Sequence, residues 1–226
     1  MILHRIKVLA VLAVALALAA CGSKTVAAQD ARTPVTLKPV EVRSYEGADL
    51  SSVNDFSENS IKGVQKVDPA TYRLQVAGLV STPLSLTIDQ VLARDLYRKV
   101  VTLYCVEGWD ATILWEGVKV KDLLAAAGYD PTASTIIFTA VDGYTTSFPL
   151  PYLIDNDILL ATKMNDIPVP PERGFPFVLV AEDKWGYKWI KWLTKIEVSN
   201  DAGFKGYWEQ RGYNQDGSLE GPIFGD

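Results

Sequence analysis

The chain has 226 residues, a formal net charge of −5, 48% hydrophobic side chains, one histidine and two cysteines. Its acidic balance argues against nucleic acid and against a polybasic membrane-surface mode. His4 is the only histidine. Once an N-terminal targeting segment is cleaved none remains, which excludes triads with a histidine base, histidine-ligated zinc or copper, and haem attached through a Cys-x-x-Cys-His sequence.

Residues 1–20 read as a secretion signal. Arg5 and Lys7 form a basic start, and Val8 to Ala20 is an unbroken run of Val, Leu and Ala. That run is ~13 residues, short of the about 20 that span a bilayer. It ends Leu18-Ala19-Ala20 before Cys21, small residues ahead of a thiol that accepts lipid. The expected organisation is a lipoprotein signal peptide over 1–20, a lipid-anchored linker over 21–46 and one domain over 47–226. Removing residues 1–20 takes away two of the 22 basic residues and no acid, leaving 20 basic against 27 acidic side chains. The expected location is the cell membrane, anchored through lipid on Cys21 at its extracytoplasmic face, either cell surface or periplasm. Cys105 is then the remaining thiol, so no internal disulfide forms.

Along the domain, Tyr72 to Val80 is strand-like, and Ser81-Thr82-Pro83 makes a turn. Thr87 caps a short helix running to Leu92. Val100 to Cys105 is a short apolar strand with Cys105 at its end. Val120, Leu123, Leu124 and Ala127 share one helical face, and Gly128 stops that helix. Thr135 to Ala140 and Tyr144 to Leu150 flank Asp142-Gly143, a hairpin signal. Phe177 to Ala181 and Trp192 to Val198 read as buried strands, and the tail from Gly206 to Asp226 as a surface wrap. Many short strands with few short helices predict a β-rich α+β fold.

Five phrases then stand in order. They are Leu103-Tyr104-Cys105-Val106-Glu107-Gly108-Trp109 with Trp115 to Val118 and Asp122 to Leu124; Asp142 to Ser147; Arg173 to Pro176; Gly186 to Trp192; and Gly206 to Glu209. Together they resemble the sulfite oxidase-type molybdopterin-dependent oxidoreductases. The likeness runs from about Val53 to Tyr213 and is strongest to short bacterial members, which include the catalytic subunits of periplasmic methionine-sulfoxide reductases. It implies the sulfite-oxidase-type molybdopterin-binding fold and a molybdenum-molybdopterin cofactor, with Cys105 as both metal ligand and catalytic residue. A soft thiolate suits such a metal. It further implies that Asn54, Ser57, Glu58, Thr139, Arg173, Trp189, Ile190 and Lys191 contact the cofactor. Lys184 and Lys188 are candidate helpers at its phosphate, because Val178 stands where the family often has Arg. Glu107, Trp109 and Asp110 are expected at the pocket mouth, with Glu107 bonded to nearby backbone.

The reaction implied is oxygen-atom transfer at molybdenum on a small-molecule or protein-bound substrate. A membrane-bound redox partner and a monomeric state are expected beside it. Arg173 is the one obvious anion-binding arginine in the matched phrases, which disfavours sulfite. The start Met1 to Lys7 has no Arg-Arg pair, whereas loaded family members usually leave the cytoplasm folded by the twin-arginine route. The alternative is therefore a cofactor-free ligand- or partner-binding lipoprotein on the same fold.

Overall fold

A computed structural model describes residues 39–225. The signal segment, Cys21 and most of the linker lie outside the described residues. The linker expected through residue 46 gives way earlier, because Glu41 already belongs to the fold. Its carboxylate accepts from Ser52 Oγ (2.9 Å), the Val53 N–H (2.7 Å) and Asn165 Nδ2 (2.9 Å). Asn165 also accepts from the Leu114 N–H (2.9 Å) and donates to the Ser51 carbonyl (2.8 Å), so one buried amide fastens residues 41–53 to the body.

In chain order the elements are β1 (Ser44–Tyr45), β2 (Ala48–Asp49), β3 (Leu74–Gly78), β4 (Leu84–Leu86), α1 (Ile88–Leu92), β5 (Tyr97–Tyr104), β6 (Asp110–Lys119) and α2 (Val120–Ala127). They continue with β7 (Thr135–Ala140), β8 (Thr145–Pro149), α3 (Leu150–Asp155), β9 (Leu159–Met164), β10 (Ile167–Pro168), β11 (Val178–Val180) and β12 (Leu193–Ser199). The local signals act as expected. Thr87 and Gln90 close a capping box on α1, and Gly128 ends α2 in the left-handed conformation. Asp142 Oδ1 accepts the Tyr144 N–H (2.9 Å) in the β7–β8 turn.

The strands form a small β1–β2 ribbon and two five-stranded sheets. One sheet runs β10-β9-β6-β5, with β11 also on β9; the other runs β4-β3-β12-β7-β8. β12 lies parallel to β3 and antiparallel to β7. The core joins residues of both sheets to the inward face of α2, with Leu74, Ile113, Trp115, Leu123, Leu124, Phe138, Leu160 and Ile196 all buried. This is the expected β-rich α+β architecture.

Six strands were not anticipated: the short β1, β2, β4 and β10, and the longer β6 and β9. β6 is the longest, and its run Asp110 to Lys119 has no clean alternation because Ile113, Leu114 and Trp115 are buried consecutively. It lies between β5 and β9, and its register shifts between Glu116 and Gly117. A Cβ on Gly117 would stand 2.1 Å from the Leu160 carbonyl oxygen. Gly117→Ala is therefore expected to destabilise the protein by about 2–3 kcal/mol. A denaturant titration of the purified variant measures this; an unchanged midpoint contradicts so tight a contact.

Candidate active site

Cys105 directly follows β5 and opens the turn into β6. Its N–H donates to the Trp109 carbonyl (2.9 Å), and its own carbonyl accepts the Gly108 N–H (3.1 Å). Gly108 takes a positive φ of 88° in that turn. On the other side Gly186 packs against the strand end, where a Cβ would lie 3.2 Å from the Tyr104 carbonyl oxygen and 3.5 Å from the Cys105 Cα. The β5–β6 ladder pairs eight consecutive residues from Tyr97 to Tyr104. The thiol therefore stands on a rigid strand end, which a metal ligand needs.

Sγ lines a cleft of about 600 Å³. Asn59 Nδ2 points at Sγ (3.7 Å) and donates to Glu107 Oε2 (3.1 Å), which also accepts from Trp109 Nε1 (3.3 Å). Glu107 thus bonds two side chains where backbone partners were expected. Burial pushes the Cys105 thiol above its usual pKa; the Glu107 charge adds to this, while backbone N–H groups of Glu107 and Val106 and the Asn59 amide oppose it.

The cations of this region are committed. Arg173 gives its guanidinium to three backbone carbonyls: Nε to Val53 (2.8 Å), Nη1 to Ser57 (3.0 Å) and Nη2 to Phe56 (2.5 Å). It also lies over the Phe56 ring (4.1 Å), which stacks on Trp109 (5.5 Å). Arg173 thus clamps residues 53–57, the arm that leads to Asn59. Lys191 Nζ meets Glu58 Oε1 at 2.7 Å beside the Trp192 ring. Burial lowers the Lys191 pKa, and Glu58 opposes that shift. Lys184 and Lys188 do not serve the cleft as expected. Lys184 pairs with Asp216 (2.7 Å), and fully buried Lys188 pairs with fully buried Glu209 (2.6 Å) while donating to the Ser147 and Gln215 carbonyls.

Of the expected site residues, Cys105, Ser57, Glu58, Arg173, Trp189 and Lys191 line the cleft together with Val178. Asn54, Thr139 and Ile190 are not on its wall. Asn54 is exposed in a turn, with its N–H on Ser52 Oγ (3.3 Å). Thr139 sits within β7, where its carbonyl accepts from Thr194 Oγ1 (3.0 Å). The Ile190 side chain is fully buried, and its carbonyl accepts the Leu179 N–H (2.9 Å). Asn59 was missed, because one more amide in a polar loop carries no spacing signal. Tyr187, Trp208 and Tyr213 also line the wall.

The family described as "Oxidoreductase molybdopterin binding domain" matches residues 61–208. The chain belongs to the oxidoreductase molybdopterin-binding family. It is 34% identical over 151 residues to the uncharacterized oxidoreductase YuiH of Bacillus subtilis, covering 66% of this chain and 76% of that one. A putative protein-methionine-sulfoxide reductase subunit, YedZ1 of Azospira oryzae, is 35% identical over 151 residues, 67% of this chain and 57% of that one. Human mitochondrial sulfite oxidase is 30% identical over 188 residues, 70% of this chain and 34% of that one. The sulfane dehydrogenase SoxCD from Paracoccus pantotrophus shares the fold, with a TM-score of 0.63 at 21% identity, covering 82% of this chain and 57% of that one. Beyond the first relative, the chain spans between a third and three fifths of these proteins.

Family membership makes molybdenum-molybdopterin the cofactor, and the donor set fits it. Among the described residues no group of three or more His, Cys, Asp or Glu can hold a metal. A lone protein thiolate without such a cluster suits a metal whose other donors come with the cofactor, and the cleft of about 600 Å³ lies within the usual range of about 300–1,000 Å³ for small-molecule sites. Arg173→Ala is expected to loosen the arm that carries Asn59. Hydrogen–deuterium exchange should rise at residues 53–60, and global stability should fall by about 2–3 kcal/mol, the scale of charged hydrogen bonds lost from backbone carbonyls. Unchanged exchange there would show that the clamp is idle.

Proposed function

We propose that this protein is a lipid-anchored molybdopterin-dependent oxidoreductase that transfers an oxygen atom at a molybdenum ligated by Cys105, on the extracytoplasmic face of the membrane. The observation that carries the reading is the Cys105 thiol, held at a strand end in the wall of the cleft with the Asn59 amide aimed at its sulfur.

The bound cofactor supplies the two-electron chemistry, and the protein supplies ligation, orientation and a shaped environment. The Asn59 N–H draws charge from the sulfur, and Glu107 fixes the direction of that amide. Arg173 holds the arm in place, and Lys191 with Glu58 borders the cleft beside it. Ser57 and Trp189 complete that side. The rings of Tyr144, Tyr187, Trp208 and Tyr213 narrow the space open to water. An anionic substrate would find Arg173 and Lys191 already engaged and Glu107 beside the sulfur, which favours an uncharged substrate over sulfite.

Apart from Cys105 the described residues contain no cysteine and no histidine, so they offer no further ligands of those kinds for haem or an iron–sulfur cluster. Electrons then pass to or from a separate redox partner, and a membrane-bound one suits a lipid-anchored chain. No helix among the described residues is long and apolar enough to cross a membrane. Lipid on Cys21 is the proposed attachment.

Protein purified from its own cell envelope should carry about one molybdenum per chain by elemental mass spectrometry, and Cys105→Ala should lose it. A folded wild-type protein without molybdenum, from molybdenum-replete cells, would overturn this reading and leave a binding domain on an enzyme fold. Cys21→Ser should move the protein from the membrane fraction to the soluble fraction. Retention in the membrane would refute the lipid anchor.

A further inference from the structure

Part of the cleft lining comes from the chain at and just beyond the end of the matched family region, Trp208 and Tyr213. Residues 206–225 form a C-terminal strap fastened at two places. At β8, the Tyr207 N–H donates to the Thr145 carbonyl (2.9 Å), and Gln215 Nε2 donates to Ser147 Oγ (3.0 Å). At the turn packed against Cys105, the Trp185 N–H donates to the Gly217 carbonyl (2.8 Å), and Tyr187 Oη donates to the Asn214 carbonyl (2.8 Å). The fully buried Lys188–Glu209 pair joins the same strap to the same turn. These bonds tie the strap, and the rings it carries, to β8 and to the turn beside Cys105.

Those rings form a connected surface. Tyr213 meets Tyr187 at 4.9 Å and Trp208 at 5.1 Å, and Trp208 meets Tyr207, which meets Tyr144 at 5.7 Å. Tyr144, Tyr187, Trp208 and Tyr213 all line the cleft. The hydroxyls of Tyr144 and Tyr187 are spent on the Tyr187 and Asn214 carbonyls. Burial raises both phenols above the usual range, so they stay neutral. What these two side chains offer a ligand is a ring face. Aromatic faces favour offset or edge packing with another ring.

We propose that Trp208 and Tyr213 are specificity-determining residues whose wall seats an uncharged apolar substituent of the substrate, preferably an aromatic one, joined to the atom that reacts beside Cys105. The proposal rests on the oxidoreductase reading for the reacting atom, but the wall binds its substituent by packing alone.

The test is equilibrium dialysis of the full-length protein from cell envelopes against two neutral probes, methyl phenyl sulfoxide and dimethyl sulfoxide. The phenyl compound should bind at least about tenfold more tightly, the scale expected for burying one ring. Trp208→Ala and Tyr213→Ala should remove most of that preference, by weakening phenyl binding far more than dimethyl sulfoxide binding. Tyr213→Phe should keep the preference, because the ring face and not the hydroxyl carries it. Equal affinity for both probes in the wild type overturns the proposal even if the alanine variants do not fold. So does a preference that survives both alanine variants. Molybdenum content, measured on the same sample, separates the two failures: a metal-free protein that still prefers the phenyl probe sinks only the oxidoreductase reading.

Discussion

The antiparallel ladder of β5 on β6 is the constraint on which the site depends. It delivers Cys105 to the cleft at a fixed height and turns the chain back through Glu107 and Trp109, so thiol, carboxylate and indole arrive from a single hairpin. The ladder is itself locked from behind. β9 approaches β6 so closely at Leu160 that only glycine fits at 117, and this gives the Trp115-Glu116-Gly117-Val118 phrase its physical reason. A shift of one residue along β6 would turn the whole hairpin over.

Around that hairpin, charge is used for construction. Arg173 is spent on three carbonyls of the arm, Lys188 and Glu209 tie the C-terminal strap to the turn behind Cys105, and Lys184 meets Asp216. A buried pair such as Lys188–Glu209 contributes little net stability, but losing one partner strands the other charge at a cost of about 3–5 kcal/mol. Its role is to hold one arrangement of the strap. The result is a cleft lined both by an arginine-clamped arm and by the rings of Tyr144, Tyr187, Trp208 and Tyr213, with Cys105 in the same wall.

Much of this was legible before any coordinates. The capping box at Thr87, the helix from Val120 closed by Gly128 and the Asp142-Gly143 hairpin are local signals whose physics is complete within a few residues. The ordered phrases around Cys105 and from Gly186 to Trp192 pointed to the right family. What stayed hidden depends on distant partners. β6 is buried on both faces and so lacks period-two alternation. Arg173 and Lys188 read from sequence as cations for the cofactor until their carbonyl partners at 53–57 and 147 come into view. Asn59 gains its role only because the clamped arm brings it to a sulfur 46 residues away in sequence. Asn54 and Thr139 were drawn from the resemblance residue by residue, and both lie off the cleft wall, Asn54 exposed in a turn and Thr139 within β7.

The central claim is that the Cys105 sulfur is a metal ligand. X-ray absorption at the molybdenum edge tests it most directly, on wild-type protein and on a Cys105→Ser variant reconstituted with cofactor. The account predicts one fewer sulfur scatterer around molybdenum in the variant. The same sulfur count in both proteins would contradict it.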